Sequence, residues 1–341
     1  MNEFPTLPRR RLGRSGLEVT ELGFGAAPIG DLYRHLDDAT AIAAVDAAAM
    51  AGVNLFDVAP LYGRGLAEHR LGTALRRLPR ASFIVSTKVG RVYAAAPHGV
   101  RNGEGYAGGL PFEGRFDYSY EGAMRSLEQS LLRLGIASID IALIHDIDPW
   151  THGAQAPARL REALQGAYRA LAELRSQGVV RAIGIGVNDA DVCAAFAREA
   201  DIDCVMLAGR YSLLEQPALD TFLPMAAARG IGVMMGGVFN SGILATGAIA
   251  GAKYNYRDAP AHVLATVARI EAICRSHEVP LGDAALRFPL GHPAVASVVL
   301  GATTREEIAR NHAAFSRSIP SQLWRDLVHE GLLRSDAPLP R

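Results

Sequence analysis

Four ionisable residues follow or end short apolar segments of the chain, namely Asp57, Tyr62, Lys88 and His145. A lysine in an apolar segment needs a charged partner when it is buried, and Asp57 is the obvious carboxylate. A buried ammonium beside a phenol stabilises tyrosinate and lowers the pKa of the tyrosine. Tyr62 could then donate a proton to a carbonyl or, as tyrosinate, accept one from an alcohol, while His145 donates a hydrogen bond to the substrate oxygen.

Any one of these residues alone is more often an ordinary surface charge or a satisfied polar group. Their positions at the ends of three successive apolar runs favour a shared proton-transfer site. The ends of parallel strands meet at one face of a barrel, and enzymes of that fold place their active sites there. The pattern therefore predicts a site at a barrel mouth that gives a proton to a carbonyl or takes one from an alcohol.

Eight units of a short apolar run followed by an amphipathic stretch position these residues. Near-continuous apolar runs are typical of parallel strands buried on both faces. Glycines end several helices, at Gly52, Gly135, Gly178 and Gly230. Eight units fit a closed (β/α)8 TIM barrel better than a doubly wound sheet. The predicted strands are 21–28, 53–59, 83–89, 139–145, 179–187, 204–209, 232–238 and 295–301, and the helices are 39–52, 67–78, 119–135, 158–178, 190–200, 218–230, 262–277 and 305–315.

Three segments lie outside the repeat. Residues 10–19 predict an N-terminal hairpin, with its turn at Arg14-Ser15-Gly16, that caps the barrel bottom. Residues 90–118 predict a long Gly-rich loop, and a loop of this length in a compact domain is usually functional. Residues 322–333 predict an extra C-terminal helix on the outside. We expect one barrel domain over 1–341, because no composition shift marks a boundary.

The bulk composition excludes several classes of protein. Lys+Arg and Asp+Glu both total 35, so there is no basic excess for nucleic acid or an anionic membrane. No apolar run is long enough for a membrane span, and no signal peptide is evident, so a cytoplasmic location is expected. The three cysteines are widely spaced, as expected for buried thiols. His145, His152 and His292 do not have zinc-site spacing, so no metal is expected.

Three motifs resemble the aldo-keto reductases. They are DVAPLYGRGLAEHRLG (57–72), STKVG (86–90) and LIHDID (143–148), and the resemblance runs along the whole chain in order. It implies that Asp57, Tyr62, Lys88 and His145 correspond to the family's catalytic tetrad. It also implies a nicotinamide dinucleotide as cofactor, although Gly23-Phe24-Gly25 does not continue into a Rossmann fingerprint.

The resemblance also implies where the cofactor binds. Tyr211 resembles the ring that stacks on the nicotinamide, and Asn188 resembles the ligand of its carboxamide. The family often has a glutamine three residues before the stacking tyrosine, where this chain has Ala208. The loop 236–244 resembles the pyrophosphate clamp, in which backbone N–H groups meet phosphate; the candidate residues in it are Gly237, Phe239, Ser241 and Gly242.

Residues 301–311 resemble the segment that holds the adenosine phosphate, with Gly301, Thr303, Glu307 and Asn311 as candidates. NADP-preferring members usually have basic residues three and six positions after the glycine, where this chain has Thr304 and Glu307. A carboxylate there would repel a 2′-phosphate and could accept a ribose hydroxyl, which predicts a preference for NAD. An ordinary helix start explains the acidic residues equally well.

Segments 207–216 and 145–153 resemble one branch of the family, which includes NAD-dependent aldose 1-dehydrogenases of L-fucose and D-threo-aldose type, L-galactose dehydrogenase-like proteins and a pyridoxal 4-dehydrogenase. The implied reaction oxidises the hydroxyl of a cyclic hemiacetal to a lactone, which from pyridoxal would be 4-pyridoxolactone. The expected substrate pocket uses Pro28, Ile29, Leu61, Trp150 and the 90–118 loop. Trp150 could stack on a sugar or pyridine ring, or simply pack its loop.

Three other functions stay open. An NADPH-dependent aldehyde or ketone reductase is opposed by Thr304 and Glu307. A cofactor-sensing binding protein without turnover is opposed by the complete tetrad. An unrelated barrel, such as a metal-dependent lyase, would retain its activity after Tyr62→Phe.

Overall fold

The computed structural model describes residues 4–96 and 105–340, and within them eight parallel strands form a closed barrel. A hairpin of β1 (Arg9–Arg11) and β2 (Glu18–Thr20) precedes it. The barrel strands are β3 (Leu22–Gly25), β4 (Leu55–Asp57), β5 (Ile84–Val89), β8 (Ile141–His145), β9 (Ala182–Val187), β10 (Cys204–Ala208), β11 (Gly232–Gly236) and β14 (Val295–Gly301), with β6 (Arg91–Ala95), β7 (Phe112–Phe116), β12 (Lys253–Tyr254) and β13 (Arg257–Asp258) outside it. Around the barrel each strand pairs with the next in chain order, and β14 closes on β3. The predicted barrel is thus confirmed.

Helices cover the outside of the barrel, and the predicted helical segments are all found, with boundaries that agree to within a few residues except as noted below. The predicted terminal glycines Gly52, Gly135, Gly178 and Gly230 have positive φ angles, as the ends of helices often require. The helices are α1 (Asp38–Met50), α2 (Leu66–Leu75), α3 (Tyr120–Leu134), α4 (Pro149–His152), α5 (Ala156–Gln165), α6 (Ala167–Ser176), α7 (Ala190–Glu199), α8 (Phe222–Arg229), α9 (Ile243–Thr246), α10 (Ala261–Ser276), α11 (Leu281–Arg287), α12 (Arg305–Ser316) and α13 (Ser321–His329).

The N-terminal hairpin closes the bottom of the barrel, as predicted. Leu12 and Leu17 are fully buried in a cluster with inward-facing strand residues such as Leu143 and Met206. The Arg14 backbone N–H donates to the carbonyl of Gly230, just before β11 begins. The barrel bottom is therefore a sealed apolar plug, which leaves the opposite end as the open mouth.

Three expected elements differ in the structure. The single helix predicted over 158–178 is two helices, because Gly166 lies against the backbone of Tyr118, whose carbonyl accepts the N–H of Ala167 at 2.8 Å. The predicted C-terminal helix 322–333 ends at His329. The helix predicted over 218–230 begins at Phe222, after a 3-10 turn.

The long loop 90–118 is also only partly a loop. Residues 91–95 and 112–116 form an antiparallel two-stranded ribbon, β6–β7, beyond the mouth end of β5. Residues 105–111, which precede β7, reach the barrel mouth, where Leu32 and Tyr106 form an isolated β-bridge. Residues 97–104 of the predicted loop lie outside the described residues.

Close backbone contacts fix the turn that carries Tyr62. A Cβ atom on Gly63 would lie 2.4 Å from the carbonyl oxygen of Gly30, and one on Gly109 would lie 2.5 Å from that of Gly63. Gly63 also has a φ of 61°, which side chains other than glycine rarely adopt. The loops that follow β3 and β4 and the residues that precede β7 are thus in close backbone contact around Tyr62.

No helix among the described residues combines the length and the apolar character that a membrane span requires.

Candidate active site

The mouth of the barrel brings Asp57, Lys88 and His145 together with Tyr62. Asp57 and His145 are the last residues of β4 and β8, and Lys88 is in β5, the strand between them. Tyr62 opens the 3-10 turn that follows β4, and its ring lies edge-on to His145 at a centroid distance of 6.2 Å. The order of strands around the barrel therefore assembles all four candidates at one place.

The buried ion pair of Lys88 and Asp57 forms the base of this site. Lys88 is 1% exposed, and its Nζ donates to Asp57 Oδ1 at 2.5 Å and to the Val58 carbonyl at 3.0 Å. Gly186 on β9 makes room for the lysine, because a Cβ there would lie 3.1 Å from Lys88 Cε. A buried charge needs such compensation, so the pair confirms that Asp57 is the partner expected for Lys88.

The pKa of Tyr62 shifts in the direction opposite to the one expected from the sequence. Burial of the hydroxyl and the Asp57 carboxylate raise the pKa of Tyr62 well above its usual value, and Tyr106, Asp146 and Tyr256 raise it further. The expectation of a lowered pKa is wrong for this structure, because burial of the phenol and the negative charge of Asp57 both favour its protonated form. Tyr62 is therefore a neutral phenol at physiological pH, ready to donate a proton.

His145 is neutral for a similar reason. Burial lowers the pKa of His145 well below its usual value, and the positive charges of Lys88 and Arg91 lower it further. A neutral imidazole has one N–H donor and one acceptor. The ring can thus donate one hydrogen bond to an oxygen above Tyr62 without competing as a proton donor.

The structure adds aromatic residues to the site that sequence reasoning missed. Tyr106, in the described residues that precede β7, stacks on Tyr62 with a centroid distance of 6.3 Å. Tyr256 lies in a two-residue turn between β12 and β13, and Asn255 and Tyr256 both have positive φ angles, of 48° and 63°. Such a turn normally favours Asn or Gly at both positions, so a tyrosine there is an outlier. Tyr256 lies outside every strand and helix predicted from the sequence, so no sequence pattern pointed to it.

Trp150 and Tyr256 form an exposed aromatic rim with each other. Their rings lie 6.2 Å apart, and they are 56% and 61% exposed. Trp150 does not simply pack its loop, because more than half of it faces solvent. The two rings are tilted by 51° to each other, and Tyr256 is near enough to Tyr62 to help raise its pKa.

The other predicted substrate residues divide into two groups. Pro28 and Leu61 are half-buried at the mouth, and Pro28 packs on the exposed end of β14, where a Cβ on Gly301 would lie 2.5 Å from its ring. Ile29 is fully buried in the hydrophobic core, so its proposed place in the pocket is wrong. Its carbonyl accepts a hydrogen bond from Arg70 Nη1 at 2.8 Å, which stabilises the loop after β3.

Tyr211 cannot hold a nicotinamide ring in this structure. It is fully buried in the core, tilted against Phe288 at 5.1 Å and edge-on to His292 at 5.8 Å. A ring that stacks on a cofactor must face the mouth, so the assignment is wrong. The chain turns at Gly209, which has a positive φ, two residues before Tyr211.

The surface between β10 and β11 nevertheless fits the nicotinamide end of a dinucleotide. Four small residues end these two strands, and a Cβ on Gly237 would lie 3.3 Å from the Gly209 nitrogen. Next to them, Asn188 follows β9, and its side-chain amide makes no hydrogen bond within the part of the chain that is described. A flat backbone surface beside an available amide suits a planar carboxamide ring. The small residues are Ala208, Gly209, Gly236 and Gly237.

The loop after β11 has an unusual backbone at the predicted phosphate clamp. Asn240, Ser241 and Gly242 all have positive φ angles, of 46°, 64° and 108°. A Cβ atom on Gly242 would meet none of the described residues within 4 Å, so the backbone is open on that side. Phe239 packs partly on the core, and Ser241 Oγ accepts from the N–H of Tyr256 at 3.0 Å. The clamp and the aromatic rim are therefore joined.

At the start of α12, the Glu307 carboxylate accepts hydrogen bonds from the residues that precede the helix. Glu307 Oε2 accepts from the backbone N–H and the hydroxyl of Thr303 at 2.7 and 3.0 Å, and Thr304 caps the helix by accepting from the N–H of Glu307. Arg34 from the opposite loop donates to the Thr303 hydroxyl at 3.0 Å. Glu307 and Asn311 lie four residues apart on one face of α12, and Thr303 directly precedes the residue that caps the helix.

No group of three or more potential ligands among residues 4–96 and 105–340 could hold a metal ion.

Comparison with known proteins matches almost the whole chain. The sequence profile of the Aldo/keto reductase family matches residues 21–329. The chain is 43% identical to the pyridoxal 4-dehydrogenase of Microbacterium luteolum, over 95% of this chain and 98% of that protein. It is 39% identical to the D-threo-aldose 1-dehydrogenase of Pseudomonas sp, over 94% and 96%. The solved aldo-keto reductase AKR11C1 from Bacillus halodurans (holo form) aligns with a TM-score of 0.73 at 26% identity, over 97% and 98%.

The buried ion pair predicts a specific pattern of stability. Asp57→Asn leaves the buried Lys88 ammonium without a counter-ion and should lower the free energy of unfolding by about 3 kcal/mol. The double variant Asp57→Asn/Lys88→Met removes both charges and should recover most of that loss while remaining inactive. Urea unfolding of the variants measures the first effect, and turnover measures the second.

Lys253→Met is the matched control, because Lys253 pairs with Asp258 at 2.5 Å on the exposed surface. It should change the free energy of unfolding by less than about 1 kcal/mol. If the double variant is as unstable as Asp57→Asn alone, the ion pair is not the source of the loss.

The raised pKa of Tyr62 predicts the pH dependence of catalysis. Because its tyrosinate form is scarce at neutral pH and increases tenfold with each pH unit below the pKa, kcat/KM for alcohol oxidation should rise steadily from pH 7 to pH 9. Reduction of an aldehyde needs the phenol, which stays protonated, so its rate should not fall over that range. Steady-state kinetics in both directions tests this, and a flat oxidation profile would contradict it.

Proposed function

The chain belongs to the aldo/keto reductase family and is an oxidoreductase, and we propose that it is an NAD-dependent dehydrogenase that oxidises the hydroxyl of a cyclic hemiacetal to a lactone. The first candidate substrate is an aldose of the L-fucose, D-threo-aldose or L-galactose type. The observation that carries the proposal is the buried Asp57–Lys88 pair beside Tyr62 and His145 at the barrel mouth.

The bound nicotinamide would supply the hydride acceptor, and the protein would supply binding and proton transfer. Asn188 would hold the carboxamide, over the small residues that end β10 and β11. The loop with Gly237, Phe239, Ser241 and Gly242 would hold the pyrophosphate, and the start of α12 with Gly301, Thr303 and Asn311 would hold the adenosine end. This division follows from the positions of these residues around the mouth.

The proton leaves through Tyr62. As the C–H bond of the hemiacetal carbon breaks, the hydroxyl proton of the same carbon passes to the Tyr62 oxygen, which leaves a lactone carbonyl. Since the ground state of Tyr62 is the phenol, its proton must first pass to solvent, and oxidation becomes easier as pH rises. His145 would donate to the substrate oxygen, and Lys88 would stabilise charge developing on the Tyr62 oxygen.

Pyridoxal in its cyclic hemiacetal form is the second candidate, and two observations favour it. The chain is 43% identical to a protein named pyridoxal 4-dehydrogenase. The mouth also carries four aromatic side chains, and aromatic faces bind planar rings as well as the apolar faces of sugars. These side chains are Tyr62, Tyr106, Trp150 and Tyr256.

The preference for NAD is supported by the start of α12. The N–H of Thr303, which could bind a 2′-phosphate, already binds the Glu307 carboxylate at 2.7 Å. A phosphate there would displace or face this negative charge, whereas a ribose hydroxyl could donate to it. An NADPH-dependent reductase is the less supported alternative for this reason.

Turnover of purified protein with NAD tests the proposed function. We expect NADH formation with at least one of L-fucose, L-galactose, D-arabinose and pyridoxal, together with a lactone detected by mass spectrometry. Tyr62→Phe should lower kcat by at least about a hundredfold, because it removes the proton-transfer group. Its affinity for NAD should not change. Tight cofactor binding without turnover of any of these compounds would favour a cofactor-sensing protein instead, and full activity in Tyr62→Phe would exclude this mechanism.

Glu307→Gln tests the cofactor preference. The amide keeps an acceptor for the Thr303 N–H but removes the charge, so kcat/KM with NADP should rise by about tenfold, which corresponds to ~1.4 kcal/mol. Efficiency with NAD should change little. Glu306→Gln is the matched control, because Glu306 is an exposed acid of the same helical turn. Wild-type protein that prefers NADP would contradict the proposal.

A further inference from the structure

Asp146, directly after His145, has a backbone conformation that few residues adopt. Its φ is 54°, in the left-handed region, which only Gly, Asn and Asp visit with any frequency. Hydrogen bonds hold this segment: the Asp146 N–H donates to the Gly186 carbonyl at 3.0 Å, and the Tyr118 hydroxyl shares its one proton between the carbonyls of His145 and Asp146, at 2.8 and 3.0 Å. Strain held beside an active site points to a functional reason for the side-chain position.

The carboxylate of Asp146 lies between Arg91 and His145. Asp146 is 8% exposed; its Oδ2 accepts from Arg91 Nη2 at 3.0 Å, and its Oδ1 lies 3.5 Å from His145 Nε2. The Arg91 guanidinium lies 4.4 Å over the ring of Phe116 on the β6–β7 ribbon. The ribbon therefore fixes Arg91, and Arg91 fixes the carboxylate against the imidazole.

Only one tautomer of neutral His145 places the N–H donor at Nε2. Its Nδ1 is buried and has no hydrogen-bond partner in the described part of the chain. The ring is neutral, so one nitrogen carries the proton and the other has a lone pair. A lone pair on Nε2 would face the Asp146 oxygen and be repelled, whereas an N–H there is attracted. The geometry thus favours the proton on Nε2, and the 3.5 Å separation is too long for a hydrogen bond, so this N–H stays available to a substrate oxygen.

We propose that Asp146 is a positioning residue, fixed by Arg91, that keeps the proton of neutral His145 on Nε2, so that the ring donates to the substrate oxygen. The other tautomer would present a lone pair to that oxygen and oppose its binding. The inference deepens the proposed function and depends on it only for the identity of the oxygen that His145 meets.

A second buried Asp–Arg pair shows what a purely structural role looks like. Asp140, just before the other end of β8, is 5% exposed and accepts from Arg80 Nη2 at 2.5 Å and from the Val85 N–H at 2.9 Å. It joins two strand ends at the barrel bottom. It resembles Asp146 in burial and partner but lies at the far end of the strand from the imidazole, which makes it a matched control.

Nuclear magnetic resonance of protein labelled with ¹⁵N-histidine tests the proposal directly, since the two tautomers give different ring ¹⁵N shifts. The His145 signals are assigned by their loss in His145→Asn. The wild-type protein should show the Nε2–H tautomer at neutral pH. In Asp146→Asn the amide can donate to Nε2, so the population should move toward the Nδ1–H tautomer. Asparagine also tolerates the left-handed backbone, so the loop should keep its shape.

Kinetics of the same variants gives the functional consequence. Asp146→Asn should lower kcat by at least about tenfold, because the imidazole no longer donates to the substrate oxygen. Its dissociation constant for NAD should stay within about twofold of the wild type, because the variant leaves the small-residue cofactor surface intact. Asp140→Asn should lower thermal stability but leave the His145 tautomer and kcat unchanged.

Two results would overturn the proposal: a wild-type His145 that carries its proton on Nδ1, or an Asp146→Asn protein that retains the Nε2–H tautomer. If Asp146→Asn does not fold, Arg91→Lys replaces it, and a mixed tautomer population is expected there because the carboxylate is held less firmly. The spectra need no substrate, so a failed substrate screen would count against the proposed function and leave this result standing.

Discussion

The ion pair between Lys88 and Asp57 is the interaction on which the rest of the site depends. Two opposite charges lie 2.5 Å apart at the centre of an apolar barrel, with the lysine almost wholly buried. Neither charge could remain there alone. The pair also sets the electrostatics of its neighbours, since Asp57 helps raise the pKa of Tyr62 and Lys88 helps lower that of His145. Burial and this ion pair together leave Tyr62 and His145 neutral.

Neutral groups suit a site that works in two directions. A phenol can donate a proton to a carbonyl, and it can accept one from an alcohol after losing its own to solvent. A neutral imidazole donates a hydrogen bond without transferring a proton of its own. The direction of the reaction is then decided by pH and by the cofactor present, and the side chains do not have to change their positions.

The loops around the mouth add contacts to the site that the repeating strand–helix units do not make. Arg91 on β6 donates a hydrogen bond to Asp146, and Tyr106, which precedes β7, stacks on Tyr62. Tyr256 in the β12–β13 hairpin lies against Trp150. All of these contacts come from segments inserted into the repeating strand–helix units. The barrel therefore supplies the four candidate residues, while the inserted segments supply the aromatic rim and Arg91, which holds the carboxylate beside His145.

The sequence alone determined the barrel and the four candidate residues, because strand periodicity places Asp57, Lys88 and His145 at strand ends that a closed barrel must bring together. It could not predict the side-chain orientations and pKa shifts that depend on contacts between residues far apart in the chain. Tyr211, two residues after the turn at Gly209, is buried in the core, and Ile29 is likewise buried. The direction of the Tyr62 pKa shift depends on the burial of its side chain and on the nearby Asp57 carboxylate. Asp146, Tyr106 and Tyr256 lie in irregular segments without periodicity, so only the tertiary structure placed them at the mouth.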